Sequence, residues 1–482
     1  MSEGKVEAPR ESRPQFLSLA EIVAATGARL AAGPGSGALV GVGTDTRVDL
    51  AGRLFVALRG DRHDAHDHLA AAVAAGAAAL LVERVPDPAA IGEVPVLVVP
   101  DSRRALADLA RAWRSRLPVA RCVAITGSSG KTTTRRLVEG ILGRRWRGTA
   151  SPKSFNNDLG VPLTLLSARP DDRFLAIEIG MNRPGEIRPL AELARPEVAI
   201  VTMVGRAHLE GLGSVEAIAT EKASILAALP ANGLAIVNGD RAELLAAVER
   251  LGLRCPVLRF GRGPGNHLRL AGRRAGGSGQ RIETSDGLVA ELSLPGEHNA
   301  VNALAAIAAA RHLGFVDAEI AAALPGVRPE AMRLERVELG GIGFLNDAYN
   351  ANPDAVLASL ATFAELAAGA DRRVAILGDM LELGPASEAL HEEVGRAAGS
   401  LPGLGRIEAV GRFAPATLRG AAAAGFRGEA RCHAGLGEPE LAAILDGLRP
   451  GDAVLLKGSR GSAMERVLAA AGARWGELAA SA

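Results

Sequence analysis

The stretch TGSSGKTTT, residues 126–134, combines glycines, a lysine and threonines in the order that phosphate chemistry requires. Backbone N–H groups of Gly127, Ser128, Ser129, Gly130, Lys131 and Thr132 can turn toward phosphate oxygens, and a helix starting here favours their negative charge. Lys131 is placed to reach the β- and γ-phosphates, the Thr132 hydroxyl suits magnesium, and Thr133 follows it into the helix. The common pattern G-x-x-x-x-G-K-[ST] would need a glycine at position 125, which is Ile125, so the loop is a shortened form. The plain alternative is a glycine turn before a helix. Against it stands the scarcity of lysine: of 55 basic residues only Lys5, Lys131, Lys153, Lys222 and Lys457 are not arginine. Genomic base composition accounts for the bias. Each internal lysine is still notable, because lysine is a compact charge or a deprotonatable amine and arginine is neither.

Other candidates lie further along. Glu178 sits at the end of the apolar run FLAIEIG, where an acid needs a partner, either a metal ion or a neighbouring helix N-terminus. His208 in GRAHLEGLGS follows the run VAIVTMV, and Lys222 follows in IATEKASIL. An isolated histidine is commonly structural, but here loop, acid and histidine leave the ends of three strand-like runs, where open α/β sheets collect ligands. Asn299 and Asn302 in GEHNAVNALAA share one helical face, although Asn299 alone would be explained as an N-cap. The turn LNDAYNANPDA holds Asp347, Asn350 and Tyr349, the only tyrosine; it reads either as a core aromatic or as an adenine or ribose contact. LLKGSRG makes an anion nest plausible at Lys457 and Arg460. GDRHDAHDH, residues 60–68, suggests zinc, but its spacing fits no standard metal site, and a ligand-binding polar loop is the better reading.

These residues need a framework of strands and helices. Short apolar runs (LFVAL, AALLV, VPVLVV) alternate with Ala-rich helical patterns up to a helix over 102–116 that stops before Pro118. CVAIT then leads into the loop, a helix follows, and FLAIEIG, VAIVTMV and LAIVNGD continue a βαβ alternation around a parallel sheet. Residues 261–295 read as loops and short antiparallel strands, and a helix spans about Glu297 to Leu313. RVAIL, RIEAV and AVLLK mark a last section after Pro325–Pro329. The expected organisation is three α/β domains, 1–118, 119–328 and 329–482.

With 482 residues, 48% hydrophobic and 23% charged, the chain is globular, and a net charge of +1 without a basic run argues against nucleic acid. The first residues lack the apolar stretch of a signal peptide, and the Ala-rich run 69–82 is too short to span a bilayer. Three scattered cysteines fit a reducing cytoplasm.

TGSSGKTTT, the Glu178 strand, HLEGLGS…EK, HNAVNALAA, DAYNANP and LLKGSRG occur in the order seen in the Mur ligases of peptidoglycan synthesis, which the sequence resembles over nearly its whole length. FNNDLGVP, LGDMLELG and DTR…GRLFVALRGDRHDAHDH add to the likeness. The absence of a DNP[RK] stretch argues against the diaminopimelate-adding member, and a phosphate loop as late as residue 127 argues against folylpolyglutamate synthase.

The resemblance implies a central P-loop ATPase domain between an N-terminal substrate domain and a C-terminal Rossmann-like domain. It implies an ATP-dependent cytoplasmic ligase, a monomer, joining D-alanyl-D-alanine to UDP-N-acetylmuramoyl-tripeptide through an acyl phosphate. Another Mur-type ligase adding a single amino acid, or a P-loop ATPase module, stand as alternatives. By the same resemblance, Thr132 and Glu178 serve one magnesium, and Glu178, His208 and a carbamylated Lys222 a second. Asn299, Asn302, Arg333, Asp347 and Tyr349 position nucleotide. Asp45, Thr46, Arg47, Asp64, His66, Asn156 and Asn157 contact the muropeptide, and Lys457, Ser459 and Arg460 meet the acyl phosphate or the dipeptide.

Overall fold

The computed structural model describes residues 16–60, 63–277 and 279–476. Lys5, and Asp61 and Arg62 of the 60–68 stretch, lie outside them. The fold is α/β with three sheets. The chain divides into two compact units, one of residues 1–122, 146–179 and 189–195, the other of 123–145, 180–188 and 196–482.

The first unit holds a five-stranded sheet in the order Arg29–Ala32, Val96–Val98, Ala79–Val82, Leu54–Val56, Val42–Gly43. Its first pair is antiparallel and the rest parallel. The Ala-rich run 69–82 breaks into a helix, Leu69–Ala74, and the strand Ala79–Val82. The break is at Gly76, where φ is +92° and a Cβ would stand 3.0 Å from the Ala51 backbone. No described helix is long and apolar enough to cross a membrane. The 102–116 expectation ends slightly early, as a helix Ser102–Arg114 capped by Asp101. This unit also pairs Gly148–Ala150 with Phe174–Glu178 in parallel.

In the second unit, the strand Arg121–Thr126 from Val123 on, Val198–Val201, Leu234–Asn238, Val257–Gly261 and Leu268–Gly276 run parallel side by side. The first three of these strands are buried nearly throughout, as expected where both faces of a parallel sheet are covered. The sheet continues antiparallel through Gly279–Thr284 and Val289–Leu292, the short antiparallel strands foreseen within 261–295. Glu297–His312 forms one helix whose N-cap is Gly296; Asn299 sits inside the first turn and is therefore not the cap. Its many alanines let it pack closely on Lys131–Leu142, the helix that leaves the phosphate loop.

The same unit contains a six-stranded sheet ordered Glu335–Leu339, Ile342–Asp347, Asp452–Lys457, Arg372–Gly378, Leu404–Val410, Glu429–His433. Only the first pair is antiparallel. One apolar cluster covers each of its faces. The carboxyl ends of Ile342–Asp347 and Asp452–Lys457 bring Asp347 and Lys457 into register. Cys122 and Cys255 are buried, Cys432 is exposed, and all three are free.

Candidate active site

The phosphate loop closes the strand Arg121–Thr126 and opens the helix Lys131–Leu142. Two glycines are required by space. A Cβ on Gly127 would sit 2.0 Å from Thr202 Oγ1, and one on Gly130, whose φ is +84°, would sit 2.5 Å from Asn302 Oδ1. The loop is held through its oxygens. Lys131 Nζ donates to Gly127 O at 2.9 Å, and Thr202 Oγ1 to Ser129 O at 2.6 Å. Ser128 Oγ exchanges bonds with the Gly205 backbone, donating at 3.2 Å and accepting at 3.1 Å. Thr132 is buried, and its hydroxyl accepts from Arg333 Nη2 at 3.0 Å.

Around the loop stand the residues singled out for nucleotide. Asn299 Nδ2 donates to Pro295 O at 2.7 Å and its Oδ1 accepts from Asn302 at 3.4 Å, so the two asparagines do share a face. The Arg333 guanidinium lies 4.2 Å from the Tyr349 ring centre, over its face. Arg333 Nε is buried without a hydrogen-bond partner. A crevice beside the loop is lined by Thr133, Asn299, Glu330 and Arg333.

Asp347 has three partners. It accepts from Lys457 Nζ at 2.6 Å, from Leu334 N at 3.2 Å and from the Ser359 hydroxyl. Lys457 is buried and also donates to Asn350 O at 2.8 Å. Ser459 ties two loops together: its hydroxyl accepts from Leu381 N at 2.9 Å and donates to Ala351 O at 3.2 Å. Arg460 is exposed and pairs with Glu465 at 2.8 Å.

His208 has a left-handed backbone, φ 62°, and its Nδ1 meets Glu382 Oε2 at 2.5 Å. That bond holds the Glu382 carboxyl below its usual range. Lys222 is completely buried. Burial first, and the Lys131 charge second, push its ammonium well below the ordinary lysine range, against the opposing pull of Glu221. Among the described residues no cluster of three or more His, Cys, Asp or Glu side chains has the makings of a metal site.

In the other unit, Glu178 is buried with its N–H on Ser151 Oγ at 3.0 Å and Oε1 accepting from Asn156 Nδ2 at 2.9 Å. Asn157 Oδ1 accepts from Gly160 N at 2.8 Å, at the start of the helix Gly160–Ser167. Asp45 binds Arg47 through its Nε and Nη2 at 2.9 and 2.8 Å, which, with the Arg47 N–H, lowers its pKa to about 2, and Thr46 lies between them. His66 Nε2 accepts from Glu83 N at 2.9 Å, so its proton is on Nδ1, donated to Asp64 Oδ1 at 2.6 Å. The His66 backbone N–H, donating to Asp64 at 3.0 Å, together with the His66 ring and Arg84, holds the Asp64 carboxyl at about 2.

Sequence reasoning did not single out Asn352, Asp354 or Arg206. Asn352 Nδ2 donates to Ser129 Oγ at 3.2 Å and to Ser128 O at 3.4 Å. Asp354 accepts from Arg206 N at 2.8 Å and Nη2 at 3.2 Å, and Arg206 Nη1 reaches Glu393 at 2.6 Å. Asn before Pro353 was a readable helix-start signal; the arginine pairing had none.

Residues 125–310 match the Mur ligase middle domain, and residues 332–460 match the domain described as Mur ligase, glutamate ligase domain. UDP-N-acetylmuramoyl-tripeptide–D-alanyl-D-alanine ligase of Escherichia coli K12 is 38% identical over 89% of this chain and 93% of its own length. The Bacillus subtilis 168 protein of the same name is 34% identical over 89% and 92%. MurF from Acinetobacter baumannii superposes with a TM-score of 0.83 at 31% identity, covering 95% of this chain and 98% of that one. MurF ligase from Thermotoga maritima, solved in complex with ADP, gives 0.75 at 27% identity over 89% and 96%. With a phosphate loop braced by Arg333 and the neighbouring strand end, and with this likeness along nearly its full length, the chain belongs to the Mur ligase family.

Proposed function

We propose that the protein joins D-alanyl-D-alanine to UDP-N-acetylmuramoyl-tripeptide with hydrolysis of ATP to ADP and phosphate, in the cytoplasm and as a monomer. What carries this reading is the identity with ligases of that name, spread over 89% of the chain rather than confined to the nucleotide-binding part. The domains 1–118, 119–328 and 329–482 then divide the work: muropeptide, MgATP, and acceptor amine with closure.

A free carboxylate is a poor acceptor for an amine, which is why ATP is needed. An oxygen of the tripeptide's terminal carboxylate attacks the γ-phosphorus, the bond to the β-phosphate oxygen breaks, and ADP leaves. The D-alanyl-D-alanine amine, having lost its proton, attacks the acyl carbon, and phosphate leaves from the tetrahedral intermediate. The chain's share is positioning and charge neutralisation. Lys131 lies at the loop where the transferring phosphoryl group would sit, Arg333 supplies a second cation with an uncommitted Nε, and Asn299 and Asn302 border the nucleotide. Asp45, Thr46, Arg47, Asp64, His66, Asn156 and Asn157 serve the muropeptide. Asp347 and Tyr349 serve nucleotide, while Lys457, Ser459 and Arg460 serve the acyl phosphate or dipeptide.

Two donors are oxygen ligands of the kind magnesium takes, the Thr132 hydroxyl in one unit and, in the other, the Glu178 carboxylate that Asn156 orients; His208 and a carbamylated Lys222 are the further ligands this reading assigns. When bound, the ions neutralise charge on the phosphates. Carbamylation needs a neutral amine, and burial favours the neutral form of Lys222.

The test is phosphate release by purified protein with MgATP, UDP-N-acetylmuramoyl-tripeptide and one amine at a time. D-alanyl-D-alanine is expected to drive release. Release with a single amino acid instead would assign another amide ligation, and release without muropeptide would assign a simple ATPase.

A further inference from the structure

The loop's neighbour Asn352 has no choice of orientation. Its Oδ1 accepts from Ala355 N at 2.9 Å, capping the helix Pro353–Leu366, so its amide NH2 must face the other way. There it meets Ser129 Oγ and Ser128 O. Asn352 is 5% exposed, so water does not compete for these bonds. The next residue but one, Asp354, binds Arg206 beside Gly205, and Gly205 is the backbone partner of Ser128 Oγ. One helix start thus grips the phosphate loop directly and through the segment that supports it.

The consequence lies in the peptide plane. In a trans peptide the carbonyl and the following N–H point in opposite directions. Fixing Ser128 O toward Asn352 turns the Ser129 N–H away from it, and fixing Ser129 O on Thr202 does the same for the Gly130 N–H. Held by its oxygens, the loop keeps the Ser129 and Gly130 N–H groups turned away from those contacts, so that they need no ordering step to meet a phosphate, whereas the Ser128 N–H is already taken by Met203 O at 2.7 Å. We propose that Asn352 is a positioning residue for ATP, a helix cap whose second function is to aim the Ser129 N–H at the phosphate chain. This rests on ATP being the nucleotide of the ligation proposed above.

Asn352→Asp separates the two functions. A carboxylate still caps the helix but can donate to neither partner: it sets an oxygen against Ser128 O and leaves Ser129 Oγ to turn and donate to it. The expected result is an unchanged or raised Tm, a Kd for MgADP at least tenfold weaker by titration calorimetry, and a KM for ATP raised alike. KM for the muropeptide should stay within twofold. MgADP binding within twofold of the parent protein would overturn the proposal, since the cap alone would then explain the residue. Should the charged variant not fold, a cycle of Ser129→Ala, Asn352→Ala and the double variant decides. The double variant should bind MgADP no more than twofold worse than Asn352→Ala alone, and fully multiplicative losses would refute the grip. MgADP binding needs neither muropeptide nor amine. A parent protein that binds it yet releases no phosphate with D-alanyl-D-alanine would count against the ligase reading and leave this one standing.

Discussion

Arg333 donates to the Thr132 hydroxyl at 3.0 Å, joining residues 201 positions apart, while its guanidinium lies on the Tyr349 ring. The hydroxyl oxygen that faces Arg333 is the one a magnesium ion would need. Guanidinium and cation repel, so nucleotide binding should transfer Arg333 from Thr132 to phosphate, and its buried, unpartnered Nε is a donor ready for that exchange. Arg333→Ala is expected to lower kcat/KM for ATP by about 10- to 100-fold, the worth of one charge-assisted bond of ~1.5–3 kcal/mol. Arg333→Lys keeps the charge but loses the fork and the stack, and should recover only part. Steady-state kinetics with ATP varied decides; a lysine variant equal to the parent would reduce the site to a point charge.

His298 should make folding stability fall in acid. Burial pushes its imidazole down to about 4; Asp347 and Glu365 pull the other way, while Lys457 and Arg273 add to the depression. Between about pH 6.5 and 4 the unfolded chain takes up a proton that the folded imidazole refuses, so stability is lost as pH falls through this window. Above 6.5 the effect is absent. The most it can cost is about 3 kcal/mol, from ~1.36 kcal/mol per pKa unit. Melting curves of the parent and His298→Gln from pH 7.5 to 4.5 should converge toward the acid end, relative to their separation at neutral pH.

How much of this was readable depends on whether a residue's partner is near in sequence. The strand–loop–helix around TGSSGKTTT was legible because glycine, lysine and threonine act as neighbours, and a rare lysine stands out among arginines. The parallel strands were legible from their apolar runs. Val42–Gly43 was not, being only 2 residues long, nor was Glu429–His433, an edge strand exposed at Glu429–Cys432. Asp347 and Lys457 could be picked as chemistry-bearing, but that they pair at 2.6 Å follows from adjacent strands 110 positions apart. His66 looked like a ligand-loop residue; its commitment to Glu83 and Asp64 depends on a strand end 17 positions on. Nothing in the chain distinguishes Arg206 from other arginines until Asp354 and Glu393 are placed around it.

Arg406 and Glu408 form a pair with both side chains fully buried, and His433 Nε2 joins Glu408 at 2.5 Å. Arg406 Nε and Nη1 lack hydrogen-bond partners, so the pair is incompletely satisfied. Removing one partner strands a charge in the core of the six-stranded sheet. Arg406→Met is expected to destabilise by ~3–5 kcal/mol, whereas Arg406→Met with Glu408→Leu should lose much less than the sum of the single changes. Denaturant unfolding of the three variants checks this, and additive losses would argue that the pair is not energetically coupled.

Lys222 carries the most distinctive chemical expectation. A buried ammonium is costly even with the pull of Glu221 on it, and arginine would be charged at the same place, so the retained lysine is explained if it reacts with carbon dioxide. The amine nitrogen bonds the carbon, one proton is released, and an anionic oxygen ligand results. Lys222→Ala should therefore lose activity that acetate or formate partly restores, by occupying the vacated space with a carboxylate. Lys222→Arg should be inactive and beyond rescue, since a guanidinium cannot be carbamylated. Depleting carbon dioxide and bicarbonate should lower the parent's phosphate release, and adding bicarbonate should return it, with no such response in Lys222→Ala. Mass spectrometry under native conditions should find the added carboxyl on the parent alone. Full activity in Lys222→Arg would end the carbamate idea and leave Lys222 as a buried amine acting by charge or packing.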